Sequence, residues 1–161
     1  SYDLAFNFIK RKFLIQKGSR IVWTGNPTSA QLDVTAIYVS NTAPLDLVQN
    51  EIAEAVSVTY KQKLPFEVHL LLKGELLKPD ISFDIVLPEE KNYNVSKDII
   101  NTVEDKLTQM RQDHGEMNKQ VFALLLLNRF VGDDPFNNSS GGGLDANTLA
   151  RQSVSRLLTE Q

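Results

Sequence analysis

The stretch "PFEVHLLLKG", Pro65 to Gly74, alternates with a period of two. Phe66, Val68, Leu70 and Leu72 share one face, and Glu67, His69 and Lys73 share the other. "DISFDIVLP" repeats the pattern, with Ile81, Phe83, Ile85 and Leu87 opposing Asp80, Ser82 and Asp84. In "QLDVTAIY", Leu32, Val34, Ala36 and Tyr38 oppose Asp33 and Thr35. Period two over such lengths specifies half-buried strands, and one apolar face favours antiparallel pairing. A chain with three such stretches must build a sheet and must find something to lie against its apolar side.

The rest of the chain is read around that sheet. Pro27, Pro44, Pro65, Pro79, Pro88 and Pro135 all fall at boundaries between patterned segments, where a missing N–H does least damage. Tyr2 to Ile9 reads as a strand, with "KRK" at 10–12 as a basic turn. "FLIQKGSRIVW" reads as a hairpin turning near Lys17-Gly18. "APLDLVQNEIAEAV" fits either a helical stripe (Leu45, Val48, Ile52, Ala55) behind Pro44 or a strand end and loop.

After Pro88 the period changes. "SKDIINTVEDKLTQMRQ" places Ile99, Ile100, Val103, Leu107 and Met110 on one helical face, with Ser96 as N-cap and Gly115 as the break. "EMNKQVFALLLLNRF" forms a second helix, apolar nearly all round from Val121 to Leu127. The organisation expected is a single domain: a curved sheet over 1–90, two helices over 91–131, a flexible loop over 132–143 and an amphipathic helix over 144–161.

The sequence offers no positive case for an enzyme, and carboxylate acid/base pairs can be judged only from geometry. His69 and His114 lie far apart, with no histidine or cysteine beside either. No serine sits in a nucleophile-elbow setting, and "SSGGG" lacks the lysine of a phosphate loop. Asp133-Asp134 and Glu89-Glu90 lack the staggered spacing of a calcium loop. The expectation is no catalytic residue, no metal and no cofactor. A net charge of −3 argues against general nucleic-acid binding. The lack of cysteine excludes disulfides and suits an oxidising compartment, as it suits many small domains. The longest apolar run, Val121 to Leu127, is far short of the roughly 20 residues of a membrane-spanning helix. A start at Ser1, directly in a strand-like pattern, reads as a piece of a longer chain.

The apolar strand face therefore carries the functional question. Burying its large side chains is worth on the order of 20–30 kcal/mol. A domain stable by only ~5–15 kcal/mol cannot leave such a face wet. The residues alone leave two covers open: the chain's own helices, or an acyl chain lying in a groove.

At this point the order of motifs resembles a known family. "FLIQKGSRIVWTGNPTSAQLDVTAIY", "FEVHLLLKGELLKPDISFDIVLPE" and "EMNKQVFALLLLNRF" together look like the C-terminal domain of the TamB translocation and assembly module proteins, in the version from Bacteroidetes-type bacteria. Gly18, Gly25, Pro27, Gly74, Pro79, Ile81, Phe83 and Ile85 stand in the family's places, as does Asn118-Lys119-Gln120, with lysine where arginine is common. The resemblance covers roughly residues 2–131.

It implies a mainly β fold, a curved antiparallel sheet forming a β-taco or half-barrel with an apolar concave face, followed by C-terminal helices. It implies a periplasmic module of a parent chain anchored in the inner membrane and reaching the outer membrane. In such a module Leu32, Val34, Ala36, Tyr38, Phe66, Val68, Leu70, Leu72, Ile81, Phe83, Ile85 and Leu87 line a groove for phospholipid acyl chains. Val121, Phe122, Leu125 and Phe130 plug its end or meet a partner. The partner implied is a BamA- or TamA-type outer-membrane barrel, and further strands are expected after Gln161. With the resemblance, a passive lipid groove becomes the favoured reading; docking to the barrel to assist outer-membrane protein assembly is the alternative.

Overall fold

The computed structural model describes residues 11–89 and 92–132. The expected strand over 2–9, the loop expected over 132–143 except Gly132, and the terminal helix expected over 144–161 lie outside the described residues. Within them, the strands of an antiparallel sheet come first, interrupted by two short helical pieces, and the two long helices follow, as the change of period requires.

Strands β1 (Leu14–Ile15), β2 (Arg20–Thr24), β3 (Asn26–Thr42), β4 (Leu64–Glu75) and β5 (Lys78–Val86) form one sheet in the order β1-β3-β4-β5, with β2 also on β3. β3 runs for 17 residues, longer than its alternating core predicts, and ends just before Pro44. β4 pairs with β3 from Thr42↔Leu64 to Gln31↔Glu75, and with β5 from Glu67↔Val86 to Glu75↔Lys78.

The hairpin expected at Lys17-Gly18 is not there. β1 and β2 do not pair with each other; both lie antiparallel along the same edge of β3. From Ile15 to Arg20 the chain advances five positions while its partner moves three, from Ala36 to Asp33. Residues 16–19 are thus a bulge in one strand line. Gln16 N–H donates to Thr35 O at 2.8 Å, and Thr35 N–H donates to Ser19 Oγ at 3.0 Å. A serine hydroxyl replaces the backbone acceptor that the bulge displaces, and Gly18 takes the positive φ of 92°. The turn proper comes at Gly25, φ 78°, between β2 and β3.

Between β3 and β4 the ambiguous stretch resolves into two short pieces. Helix α1 spans Leu45–Val48 behind Pro44, and a 3₁₀ helix spans Glu54–Lys61. Helix α2 (Lys97–Arg111) starts at Ser96 and buries Ile99, Val103, Leu107 and Met110. Its break from α3 (His114–Leu127) falls at Gln112-Asp113, not at Gly115, which lies in the first turn of α3. Asp113 caps α3 by accepting from Glu116 N–H at 3.2 Å, a job glycine cannot do. α3 buries Met117, Gln120, Val121, Ala123, Leu124 and Leu125, while Leu127 stays 53% exposed.

The core joins these helices to one end of the sheet. Leu64, Phe66, Val68, Ile85 and Leu87 from the sheet side pack with Val48, Val103, Leu107, Val121, Leu124 and Phe130. Buried Gln120 is satisfied by Val131: its amide donates to Val131 O at 2.7 Å and accepts from Val131 N–H at 3.0 Å. That pair of bonds folds the segment after α3 back over the core and holds Phe130 in it.

Candidate functional site: an apolar wall half covered by helices

Residues directly opposite in neighbouring strands share a face, so the register sorts the side chains into rows. On one face the rows are Tyr38–Val68–Ile85, Ala36–Leu70–Phe83, Val34–Leu72–Ile81 and Leu32–Gly74–Pro79. Ile15 extends the second row and Ile21 the fourth. The strand residues expected on the apolar face do lie together. Ile15 and Ile21 belong there too; they were missed because the bulge imitates a hairpin turn. Its length preserves strand parity, which was the available signal.

Cover over this wall is uneven. Phe66, Val68, Ile85 and Leu87 are buried beneath the helices, at 2% exposure or less, and belong to the protein's own core. Ala36 is buried, and Leu70, Phe83 and Tyr38 are half-buried at the boundary. Beyond it, Val34, Leu72 and Leu32 are half-buried, while Ile81 is 57% and Ile21 47% exposed. The wall is thus sealed at one end and only partly covered at the other.

The residues expected as a plug sit at the boundary and behind it. Phe130 packs edge-on against Phe66 with centroids 4.8 Å apart, and Phe122 meets Phe83 at 5.7 Å. Val121 and Leu125 are buried in the helix layer. Phe122 is the outermost of the four over the wall, since its partner Phe83 lies in the row beside Ile81.

Polar clamps hold this edge of the cover. Asn128, in the left-handed conformation at the end of α3, accepts from Tyr38 Oη at 3.0 Å and Ser40 Oγ at 2.7 Å. Arg11 Nε donates to Leu125 O at 2.8 Å, and its guanidinium lies 5.6 Å from the Tyr38 ring centre. Tyr38 therefore ties wall to cover, apolar in body and hydrogen-bonded at its tip.

The opposite face has another character where the wall is open. Arg20, Asp33, Lys73 and Asp80 form one row across four strands, alternating in sign. Nearer the helices, His69 Nε2 lies 2.9 Å from Glu67 Oε1. Among the described residues no group of three or more His, Asp or Glu is placed to hold a metal ion. An open depression of about 660 Å³ lies between the 3₁₀ helix and the start of α2, lined by Val56, Tyr60, Val95 and Ile99 among others. It is separate from the wall.

An antiparallel sheet with one apolar face, partly roofed by C-terminal helices, defines the class of protein: an open sheet whose apolar wall is only partly filled by its own helices. The chain belongs to the TamB C-terminal domain family, whose match covers residues 3–161. That match reaches well beyond the 2–131 expected from the motifs and takes in the C-terminal segment. The family places the chain in an outer-membrane translocation and assembly module that works with an outer-membrane partner. No curated protein and no solved structure matches the chain. No helix among the described residues is long and apolar enough to cross a membrane.

Proposed function

We propose that the open half of the wall receives phospholipid acyl chains, as part of lipid transfer between the membranes of the envelope. The observation that carries this reading is the contrast between two neighbouring rows on opposite faces. Val34–Leu72–Ile81 is wholly apolar and only partly covered, whereas Asp33–Lys73–Asp80 behind it is wholly charged. A sheet end serving only as a solvent-facing extension would have no reason to differ so sharply between its faces. Each sheltered methylene lowers the cost of leaving a bilayer by ~0.8 kcal/mol. The role is passive binding rather than catalysis, the headgroup staying in water. Phe83 and Phe122 form the stop against which a chain end rests. The setting is the periplasm, with the parent protein anchored in the inner membrane.

Photocrosslinking to lipid tests this in the full-length parent protein. Leu72→Arg and Ile81→Arg should abolish crosslinks to acyl chains, and Lys73→Glu, on the back face, should leave them. Equal behaviour of all three, or a phospholipid-free organic extract of the native protein, would count against the reading.

A second reading, docking of a BamA-type barrel, is favoured by the outer edge of β5. Among the described residues no side chain bonds the backbone of Ile81 or Phe83, so that edge is free to accept a strand. Crosslinks from Ser82 to the barrel would support it.

A further inference from the structure

We propose that the turn joining β4 to β5, together with Trp23 at the same end of the sheet, inserts into the surface of a phospholipid bilayer. The proposal deepens the lipid-contact reading, on which it rests, by naming where a bilayer meets the open end of the wall.

The last paired row of that hairpin is Glu75↔Lys78, so Leu76 and Leu77 form a two-residue turn beyond it. Such turns ordinarily carry Asn, Asp or Gly, often at positive φ. Neither leucine has a positive φ, so small polar residues would serve this turn as well. Packing does not ask for leucine either: Leu77 is 74% exposed and Leu76 38%. Leu76 N–H donates to Ala30 O at 2.9 Å, which holds the turn against β3. At this same end of the sheet Trp23, the chain's one tryptophan, is 57% exposed on β2.

The surroundings select a bilayer over a charged partner. Behind the tip, Arg20, Lys73 and Lys78 are matched by Asp33, Glu75 and Asp80 on the back face. With the charges balanced, neither an acidic nor a basic surface gains by approaching, and attraction falls to the apolar tip. On the wall face the row behind the tip is Ile21–Leu32–Gly74–Pro79, which carries no charged or polar side chain, and Lys78 can lay its stem along the tip while keeping its ammonium in water. An indole ring and lysines behind a pair of leucines fit the boundary between headgroups and acyl chains.

Trp23 supplies the readout. The 161-residue chain is titrated with phosphatidylcholine vesicles, with and without phosphatidylglycerol, and with vesicles carrying brominated acyl chains. The expected result is a blue shift of Trp23 emission, quenching by the brominated chains, and little dependence on phosphatidylglycerol. Leu77→Asp, which keeps a good turn residue, should weaken partitioning by about tenfold or more. Val58→Asp, on the 3₁₀ helix and 65% exposed in the parent, should not change it. An unshifted emission, or equal partitioning of Leu77→Asp and the parent chain, overturns the proposal. A shift that grows only with phosphatidylglycerol overturns it too, since that is charge-driven adsorption. Leu72→Arg separates the two readings: if it keeps the Trp23 shift while the parent chain shows no acyl crosslinks, the tip stands and the wall fails.

Discussion

Glu104, on α2, is a carboxylate in an unfavourable place. Burial pushes its pKa above the ordinary 4.5; Arg111 pulls it down, and Glu89 and Asp105 push it up again. A raised folded-state pKa means the fold prefers the protonated form. The group's contribution to stability is thus fully present below its unfolded pKa and is lost as pH rises through the higher folded value. At pH 7 the ionised side chain works against the fold. Glu104→Gln should therefore raise the melting temperature at pH 7, and the gain should shrink to nothing below about pH 4, where Glu104 is protonated in both states. Melting curves across that range check it; an equal gain at all pH values would mean that charge is not the cause. Tyr93 is pushed the same way, by burial and then by Glu67 and Glu104, and its hydroxyl donates to Pro88 O.

At the scale of elements, β5 shows how an edge strand is managed. Arg111 Nε bonds Asp84 Oδ1 at 2.9 Å, and its Nη2 donates to Ile85 O at 2.9 Å. Ile85 N–H donates to Asp84 Oδ1 at 2.9 Å. Both backbone groups of Ile85 are thereby occupied by side chains, and strand addition is blocked at that point. Arg111→Ala removes a half-exposed ion pair, so the stability loss should stay within about 1 kcal/mol. Self-association should nonetheless rise, read by light scattering at increasing protein concentration; a strictly monomeric variant would show that Arg111 does not guard the edge. The long elements were legible from the chain alone because their signals are periodic: β3, β4, β5, α2 and α3 all follow from alternation or helical spacing. What escaped was local. Lys17-Gly18 looks like a turn because glycine at positive φ serves bulges as well as turns, and only pairing distinguishes them. From the chain alone Gly115 reads as the α2–α3 break, although Asp113 has the capping chemistry. Which part of the apolar face is roofed could not be read from any strand, since it depends on where α3 lies.

For the molecule as a whole, the single apolar face serves two purposes along its length, and β5 carries both. Ile85 is fully buried within the core cluster that includes Val103 and Leu107; Ile81, two strand repeats nearer the turn, is 57% exposed. Their sequence positions are alike, both being isoleucines that follow an aspartate and lie on the same side of the same strand. If the wall were core from end to end, arginine at either position would unfold the protein. With the wall open beyond Phe83, Ile81→Arg should shift stability by no more than about 0.5 kcal/mol, because its charge stays in water. Ile85→Arg places an unpaired charge in a dry site, and a cost above roughly 4 kcal/mol is expected, enough to prevent folding of a marginal domain. Urea denaturation of the two variants beside the parent chain measures the difference directly. A large loss in Ile81→Arg would mean that residues outside 11–132 cover the wall, and the acyl-chain surface would then shrink to nothing; a near-neutral Ile81→Arg leaves that row available, which is the condition a lipid-binding role requires.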